Sequence, residues 1–142
     1  SSLEVLLAAR TEYSCCSFRG ALVAISISTG EELWRTYTTD EPRPTILSTA
    51  GIQQFGPSGA PIWSSPTIDT KRNLVYAGTG ENYSSPANGY SDAVLALDIS
   101  SGEIVWVAKL TKDEAWNRAC SRNIPNCPEE DGTDYDIGAS PI

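Results

Sequence analysis

The chain has 142 residues and a net charge of −8, with 10 Lys and Arg against 18 Asp and Glu. Because proteins that bind nucleic acids use clustered Lys and Arg to neutralise phosphates, this balance argues against a nucleic acid as partner. No run of about 18 apolar residues occurs, so no membrane-spanning helix is expected. Trp and Tyr are plentiful, Met and His are absent, and Gly and Pro recur between short apolar runs, which predicts an all-β fold.

The first predicted element is a hairpin at residues 21–34, and the same pattern recurs at residues 93–106. Each copy has an apolar strand, a tight turn and a second strand that ends on Trp. Gly30 and Gly102 supply the positive φ that such turns need. A single hairpin cannot bury its own face, so recurring hairpins predict units that stack on one another in a larger array.

Four strands are predicted in succession, near residues 64–69, 73–79, 93–98 and 103–110. Four antiparallel strands make one blade of a β-propeller. A β-sandwich of short strands is the alternative, but a sandwich has no reason to repeat the same turn and the same Trp at the same offset. We therefore expect residues 1–142 to belong to a single propeller domain, with a partial blade at 1–39, one blade at 59–111 and the start of the next at 135–142.

Two segments between the predicted strands, residues 40–58 and 81–90, are rich in Pro, Gly, Ser and Asn, which are loop residues. Long loops on one rim of a propeller are where binding sites usually lie. Residues 138–142 echo the segment that begins at Gly59 and read as the opening of another strand. We therefore expect the chain to be a fragment of a propeller.

The four cysteines form two local pairs in the sequence, Cys15 with Cys16 and Cys120 with Cys127. Both pairs suit disulfides, which predict an exported protein, whereas four reduced and buried cysteines in the cytosol are the alternative. The polar loop between Cys120 and Cys127 suits a local structural disulfide. Because the chain has no His, zinc sites of the Cys/His type and a Ser-His-Asp triad are excluded here.

The spacing Ala-x-Asp-x-x-Thr-Gly-x-x-x-Trp occurs twice with single replacements, Ser26 for Asp in the first copy and Ser101 for Thr in the second. It resembles the tryptophan-docking motif of eight-bladed quinoprotein dehydrogenases, whose cofactor is pyrroloquinoline quinone (PQQ). The resemblance implies that Trp34 and Trp106 pack between adjacent blades and do no chemistry. The motif also occurs in cofactor-free propellers, including outer-membrane assembly scaffolds, so a scaffold or binding module is the alternative function.

Four further segments resemble the polyvinyl-alcohol dehydrogenase branch of that family, at residues 15–20, 56–66, 78–84 and 113–117. The resemblance implies a periplasmic or secreted enzyme that oxidises alcohols, including secondary or polymeric ones, with PQQ and calcium. Its electrons would pass to a cytochrome c. Because eight blades need several hundred residues, the chain would cover two or three blades and is not expected to be active alone.

For the metal, the resemblance implies Glu4 as a calcium ligand, in a segment that also brings Ser2 to the cofactor. The family has an Asn directly after Gly-Thr-Gly as a second ligand, where this chain has Glu81 followed by Asn82. Either residue supplies the oxygen donor that Ca²⁺ prefers. Trp63 corresponds to the aromatic residue that lies flat under the quinone, where stacking adds about 0.5–1.5 kcal/mol.

Two further contacts with PQQ are implied by the resemblance. Cys15 and Cys16 would form a vicinal disulfide that caps the quinone, although they lie closer to the following Arg-Gly than in the family. Arg19 would either touch the cofactor or brace the neighbouring loop.

Asn117 stands where the methanol-oxidising members have the Asp that is their proposed general base. An amide has no basic lone pair near neutral pH, so the base would come from elsewhere. Asp113, Asp134 and Asp136 are the nearby carboxylates, and Asp136, directly before the next predicted blade, is the candidate. Asn117 would then contact calcium or the quinone.

Overall fold

The computed structural model describes residues 3–5, 17–122 and 124–142 of the chain. Apart from one 3-10 helix at Cys120–Arg122, the regular structure of these residues is β-strand, as the composition predicts. The strands are β1 (Leu3–Val5), β2 (Ala21–Ser26), β3 (Glu32–Tyr37), β4 (Arg43–Leu47), β5 (Gln53–Gly56), β6 (Ser58–Gly59), β7 (Thr67–Asp69), β8 (Leu74–Gly78), β9 (Asn82–Ser84), β10 (Ala93–Asp98) and β11 (Ile104–Lys109). Within the described ranges no helix has the length and apolar character needed to cross a membrane.

The largest sheet has four antiparallel strands in the order β7, β8, β10 and β11. These are the four strands predicted from the sequence, with bounds that differ by up to three residues. Side chains on a strand alternate between the two faces of a sheet. Accordingly, Val75 and Ala77 of β8 and Leu95 and Leu97 of β10 are buried on one face.

The two hairpins predicted from the repeated pattern have the same pairing register. The Trp of the second strand pairs with an Ala of the first in both, and the register shifts directly after that Ala: Ala24 with Trp34, and Ala96 with Trp106. The turn glycines have φ of +73° at Gly30 and +74° at Gly102, in the region that only glycine adopts without strain. The same local sequence therefore gives the same local structure at both positions.

Trp34 packs on the turn of the other hairpin. Its indole Nε1 donates a hydrogen bond of 2.9 Å to the carbonyl oxygen of Ile99, and the Thr36 hydroxyl donates to the carbonyl oxygen of Gly102 at 2.5 Å. A Cβ added to Gly102 would lie 2.5 Å from the Trp34 ring, so only glycine allows this close approach. The contact joins the sheet of β1, β2 and β3 to the four-stranded sheet.

The hydrophobic core lies between these two sheets. Its buried members come from both hairpins and from the segment between them: Leu22, Ile62, Val75, Ala77, Ala93, Leu95 and Leu97. Trp34, Ile99, Ile104 and Val107 pack against this cluster from its edge. The core therefore holds the two units together and fixes the segments at the ends of their strands.

The two segments predicted as loops contain strands in part, so that prediction was wrong for these residues. β4 and β5 pair as an antiparallel hairpin within residues 40–58, and β9 pairs with β6. The turn between β4 and β5 is closed by Ser48, whose N–H donates to the carbonyl oxygen of Ile52 at 2.9 Å. The composition misled because Pro44 lies on a two-stranded hairpin, where a strand tolerates proline at an edge.

Residues 135–142, which the sequence predicts to begin another strand, contain no regular strand in the structure. The segment is attached through separate contacts instead. The Ile137 N–H donates to the carbonyl oxygen of Thr79 at 3.3 Å, and the Thr67 hydroxyl donates to the carbonyl oxygen of Pro141. These contacts lay the end of the chain beside β7 and the segment that follows β8.

Candidate metal centre

Three carboxylates converge at the end of β8. One oxygen each from Glu81, Asp134 and Asp136 lies within 4.8 Å of the others. The Glu81 N–H also donates to Asp136 Oδ1 at 3.0 Å, which ties the two segments together. Carboxylate oxygens at such separations are the donor set that a hard cation such as Ca²⁺ prefers.

Glycines directly before Glu81 allow this approach. A Cβ added to Gly80 would lie 2.3 Å from Asp136 Oδ1, and a Cβ added to Gly78 would lie 2.5 Å from the Ile137 side chain. The Gly80 N–H donates to the carbonyl oxygen of Pro61 at 2.9 Å. Glycine is therefore required at positions 78 and 80, because the segment of Asp136 and Ile137 packs too closely there for a side chain.

The carboxyl group of Glu81 has a strongly raised pKa. Burial is the largest cause, and the hydrogen bond and charge of Asp136 and the charge of Asp134 add to it, which together bring the Glu81 pKa to about 9. The pKa of Asp134 is also raised, by burial first and then by Asp136 and Glu114. Three carboxylates this close repel one another when ionised, and a bound cation would relieve that repulsion.

Two more buried carboxyl groups lie behind the three. Glu114 is 3% exposed and its Oε1 accepts a hydrogen bond of 2.5 Å from the Asp134 N–H. Asp92 is fully buried, and neither of its carboxylate oxygens has a hydrogen-bond partner of acceptable geometry among the described residues. The Ser91 side chain is near enough to lower the Asp92 pKa, but its hydroxyl donates to the carbonyl oxygen of Asn88. Burial first, then the charges of Glu114 and Asp136, raise the pKa of Asp92 to about 7, while Lys109 lowers it.

The structure separates the two ligand candidates that follow Gly80. Glu81 belongs to the carboxylate group, whereas the Asn82 amide is fully buried and bonded to backbone at both ends. Its Nδ2 donates to the carbonyl oxygen of Ser58 at 3.0 Å, and its Oδ1 accepts from the Asn88 N–H at 2.7 Å. Asn82 thus holds the local backbone together in this structure.

Asn117 has a similar set of partners. Its Nδ2 donates to the carbonyl oxygens of Tyr83, at 2.9 Å, and Asn126, at 3.0 Å. Its Oδ1 accepts from the Ala119 N–H at 2.8 Å. The amide therefore braces the loop that the disulfide closes, and that disulfide joins Cys120 to Cys127 as predicted.

Trp63 presents an exposed aromatic surface. Its side chain is 56% exposed, and a Cβ added to Gly138 would lie 3.8 Å from the indole Cζ2. The glycine leaves the space beside the ring open. Trp63 lies two positions after Pro61, whose carbonyl oxygen accepts the hydrogen bond from the Gly80 N–H. The indole therefore belongs to a segment that borders the carboxylate group.

Arg19 braces the backbone in this structure. Its Nε and Nη2 donate to the carbonyl oxygen of Thr39 at 3.1 and 2.7 Å. Its guanidinium carbon lies 3.6 Å from the centre of the Tyr37 ring, in a cation–π contact. Glu4 lies in β1, where its backbone pairs with Ile25, and Ser2, Cys15 and Cys16 lie outside the described residues.

Sequence reasoning singled out Asp136 but missed the roles of Asp134, Asp92 and Glu114. Asp134 and Asp136 are two positions apart, a spacing that would put both side chains on one face if the segment were a strand, although the structure gives Asp134 a φ of +58° and no strand here. That spacing was the available signal for Asp134. No local pattern marks Asp92 or Glu114, because burial of a carboxyl group depends on contacts far along the chain.

Comparison with known proteins gives a consistent picture. Residues 5–122 match the model of a family described as PQQ, glucose/ethanol/alcohol dehydrogenase, beta-propeller domain. A polyvinylalcohol dehydrogenase of Pseudomonas sp is 46% identical over 143 residues, covering 100% of this chain and 22% of that protein. One of Sphingopyxis sp. (strain 113P3) is 44% identical over 134 residues, covering 92% of this chain and 20% of that protein.

A similar structure has been solved. It is the quinohemoprotein alcohol dehydrogenase ADHIIG of Pseudomonas putida HK5, with a TM-score of 0.54 and 27% sequence identity over 71% of this chain and 18% of that one. The chain thus spans about a fifth of the length of the curated relatives that it matches.

Proposed function

The chain belongs to the PQQ family of glucose, ethanol and alcohol dehydrogenases with a β-propeller domain, and we propose that it carries the metal-binding part of an enzyme that oxidises alcohols with PQQ and calcium. The observation that carries the proposal is the convergence of Glu81, Asp134 and Asp136 at the end of β8. Three clustered carboxylates with a raised Glu81 pKa are costly without a cation, so they favour a metal role over a purely structural one.

The donor set fits calcium. Calcium binds oxygen at about 2.3–2.6 Å, so two ligands of one ion lie up to about 5 Å apart. The carboxylate oxygens of this group of three lie within 4.8 Å of one another, which is compatible with that distance. Glu81 and Asp136 would hold the ion, with Glu4 of β1 as the further ligand that the family resemblance implies, and the charge of Asp134 beside them would favour the cation.

The surroundings also fit a planar cofactor. The exposed Trp63 indole has a glycine beside it, which leaves room for a flat ring system to stack. The resemblance adds Ser2 and the Cys15–Cys16 pair to the cofactor contacts, while Arg19, which donates to the carbonyl oxygen of Thr39, would brace the neighbouring loop. When bound at these residues, PQQ would supply the two-electron oxidation chemistry, and calcium would supply positive charge beside it.

Among the chain's own residues, we propose that Asp134 accepts the hydroxyl proton of the alcohol. Asp136 Oδ1 already accepts from the Glu81 N–H, and its carboxylate is hydrogen-bonded to the buried Glu81 side chain. Asp134 is exposed, so its carboxylate is the more accessible to a substrate, and an accessible carboxylate can act as a general base toward a hydroxyl group. Asp136 then orients Glu81, and Asn82 and Asn117 support the backbone of the site.

The substrate class is proposed from the relatives. The two proteins at 46% and 44% identity are named polyvinylalcohol dehydrogenases, which favours secondary and polymeric alcohols. We further propose a periplasmic or secreted location, consistent with the Cys120–Cys127 disulfide, and a cytochrome c as electron acceptor. The whole domain would be an eight-bladed propeller in which Trp34 and Trp106 dock between adjacent blades.

The test uses the full-length protein. Addition of PQQ and Ca²⁺ is expected to change the quinone absorbance and to give dye-linked oxidation of primary, secondary and polymeric alcohols. Trp63→Leu should weaken PQQ binding at least tenfold, since an aromatic contact and its buried area are lost. Leu110→Ala, at an exposed residue after β11, is the control. A wild-type protein that binds neither PQQ nor calcium would overturn the proposal in favour of a cofactor-free scaffold.

A further inference from the structure

A buried glutamate supports the segment that carries Asp134. Glu114 is 3% exposed, and its Oε1 accepts the hydrogen bond of 2.5 Å from the Asp134 N–H. A Cβ added to Gly132 would lie 2.6 Å from Glu114 Cγ and Cδ, so the backbone at Gly132 passes directly over the carboxyl group. The Glu114 side chain therefore fills the space beneath residues 132–134.

The supported segment has no regular structure of its own. Residues 131–136 form neither helix nor strand, so the place of the Asp134 carboxylate depends on individual contacts. At one end, Asp136 is tied to the Glu81 N–H. At the other, Asp134 is tied to Glu114, and without that bond the Asp134 end of the segment would lose its anchor.

Glu114 is itself rigidly placed. The next residue, Ala115, forms a parallel bridge with Asn82 and donates its N–H to the carbonyl oxygen of Glu130 at 3.1 Å. The Trp116 N–H donates to the carbonyl oxygen of Asn82 at 2.7 Å. Glu114 thus stands on a segment bonded both to the neighbour of Glu81 and to the chain that leads to Asp134.

We propose that Glu114 is a positioning residue, whose carboxylate holds the Asp134 backbone so that the Asp134 side chain stays beside Glu81 and Asp136. A hydrogen bond from a backbone N–H to a buried carboxylate is among the stronger ones in proteins. Partners of this kind behind a metal site usually change metal affinity or activity about 10–100-fold when they are removed. The catalytic part of this proposal rests on the proposed function, whereas the positioning itself does not.

The test compares three variants of the full-length protein. Glu114→Gln keeps an acceptor oxygen on a side chain of the same length, and Glu114→Leu removes the acceptor but keeps a side chain of similar size. Glu103→Leu is the control, with the same replacement at an exposed residue of the β10–β11 turn. We expect Glu114→Leu to lower calcium affinity, measured by calorimetry, about 10–100-fold. It should lower kcat for an alcohol by a similar factor with KM within about threefold, while Glu114→Gln and Glu103→Leu stay within about threefold of wild type.

Amide hydrogen exchange gives a readout that needs neither metal nor cofactor. The Asp134 amide should exchange at least tenfold faster in Glu114→Leu than in wild type, and Glu114→Gln should restore its protection. Equal losses in Glu114→Gln and Glu114→Leu would overturn the proposal, because charge and not the hydrogen bond would then matter. Unchanged Asp134 exchange in Glu114→Leu would also overturn it.

If Glu114→Leu fails to fold, Gly132→Ala replaces it, because the added methyl group displaces the carboxylate from the opposite side. This variant should also speed Asp134 exchange at least tenfold, and unchanged exchange would again overturn the proposal. If wild type binds no calcium and oxidises no alcohol, the proposed function fails, and the exchange measurement still decides whether Glu114 positions Asp134.

Discussion

The indole nitrogen of Trp34 donates its hydrogen bond to the carbonyl oxygen of Ile99, 65 residues later in the chain, at 2.9 Å. The same ring lies against Gly102, whose lack of a side chain makes the approach possible. One side chain thus joins two hairpins that are distant in sequence.

We expect Trp34→Ala to destabilise the protein by about 3 kcal/mol, because it removes both the ring packing and the hydrogen bond. Trp34→Phe should cost less, since much of the ring remains, with a loss near 1 kcal/mol for the hydrogen bond alone. The midpoint of denaturant unfolding of the full-length protein measures both. Leu33→Ala, at a neighbouring residue that is 56% exposed, should stay within about 0.5 kcal/mol of wild type. Equal losses at Trp34 and Leu33 would contradict the role of the indole.

Gly30 and Gly102 occupy equivalent positions in the two hairpin turns, so their substitutions can be compared directly. Replacement of either by Ala forces a positive φ on a residue with a side chain, at a cost of about 1–2 kcal/mol. At Gly102 the added Cβ also meets the Trp34 ring at 2.5 Å, while at Gly30 it meets no atom within 4 Å in the described part of the chain.

If the proposed propeller is correct, an indole from a neighbouring blade covers Gly30 in the full-length protein, and Gly30→Ala should be as destabilising as Gly102→Ala. Thermal unfolding of the two variants checks this. A loss at Gly30 of only about 1–2 kcal/mol, with a larger loss at Gly102, would count against docking at Gly30.

Asp92 should make stability depend on pH. Its pKa is about 7 in the folded protein against an ordinary value of 3.8, mainly through burial and then through Glu114 and Asp136, with Lys109 acting in the opposite sense. The folded state therefore holds the proton more tightly than the unfolded state does. The stability that this gives is complete below about pH 4 and is lost as the pH rises to about 7.

Asp92→Asn removes this titration, and asparagine also tolerates the positive φ of 49° found at Asp92. The stability of the variant relative to wild type should rise between pH 4 and 7, with a total change on the order of 3 kcal/mol. Unfolding midpoints at several pH values measure the difference. Parallel curves for wild type and variant would show that Asp92 ionises normally.

Calcium binding should become stronger as the pH rises. The Glu81 pKa of about 9 means that its carboxyl group is protonated at pH 7, and a carboxyl group must lose its proton to bind a metal. Calorimetry in buffers of different ionisation enthalpy should detect release of a proton near neutral pH. Glu81→Gln keeps a carbonyl oxygen but has no proton to lose, so the pH dependence between 7 and 9 should flatten. Proton release that is unchanged in Glu81→Gln would assign it to another group.

The strands and turns could be predicted from sequence because their causes are local. The Gly30 and Gly102 turns and the four strands of the largest sheet depend on residues a few positions apart, and the structure agrees. The prediction of a loop around Pro44 was wrong because proline and glycine occur both in loops and at the edge of a short hairpin.

The candidate site could be predicted only in part. Sequence alone could not decide between Glu81 and Asn82, yet adjacent residues of an extended segment face opposite sides, so one of them had to point away. Asp134 lies 53 positions after Glu81, and the two meet only because the Gly-Thr-Gly segment lets the later chain pass close by. The family pattern directed attention to Asn117, whose amide the structure commits to the loop backbone.

The contact between Trp34 and the Gly102 turn has a direction. In the proposed propeller, each hairpin would place its terminal indole on the next unit and would present its own glycine turn to the indole of the preceding unit, so the two surfaces that meet are different. Contacts of this head-to-tail kind close into a ring only when the rotations between successive units add up to a full circle. If the proposed propeller is correct, the angle at which Trp34 meets Gly102 helps to determine how many units the ring holds, and one unit too many or too few would leave an indole and a glycine turn unpaired.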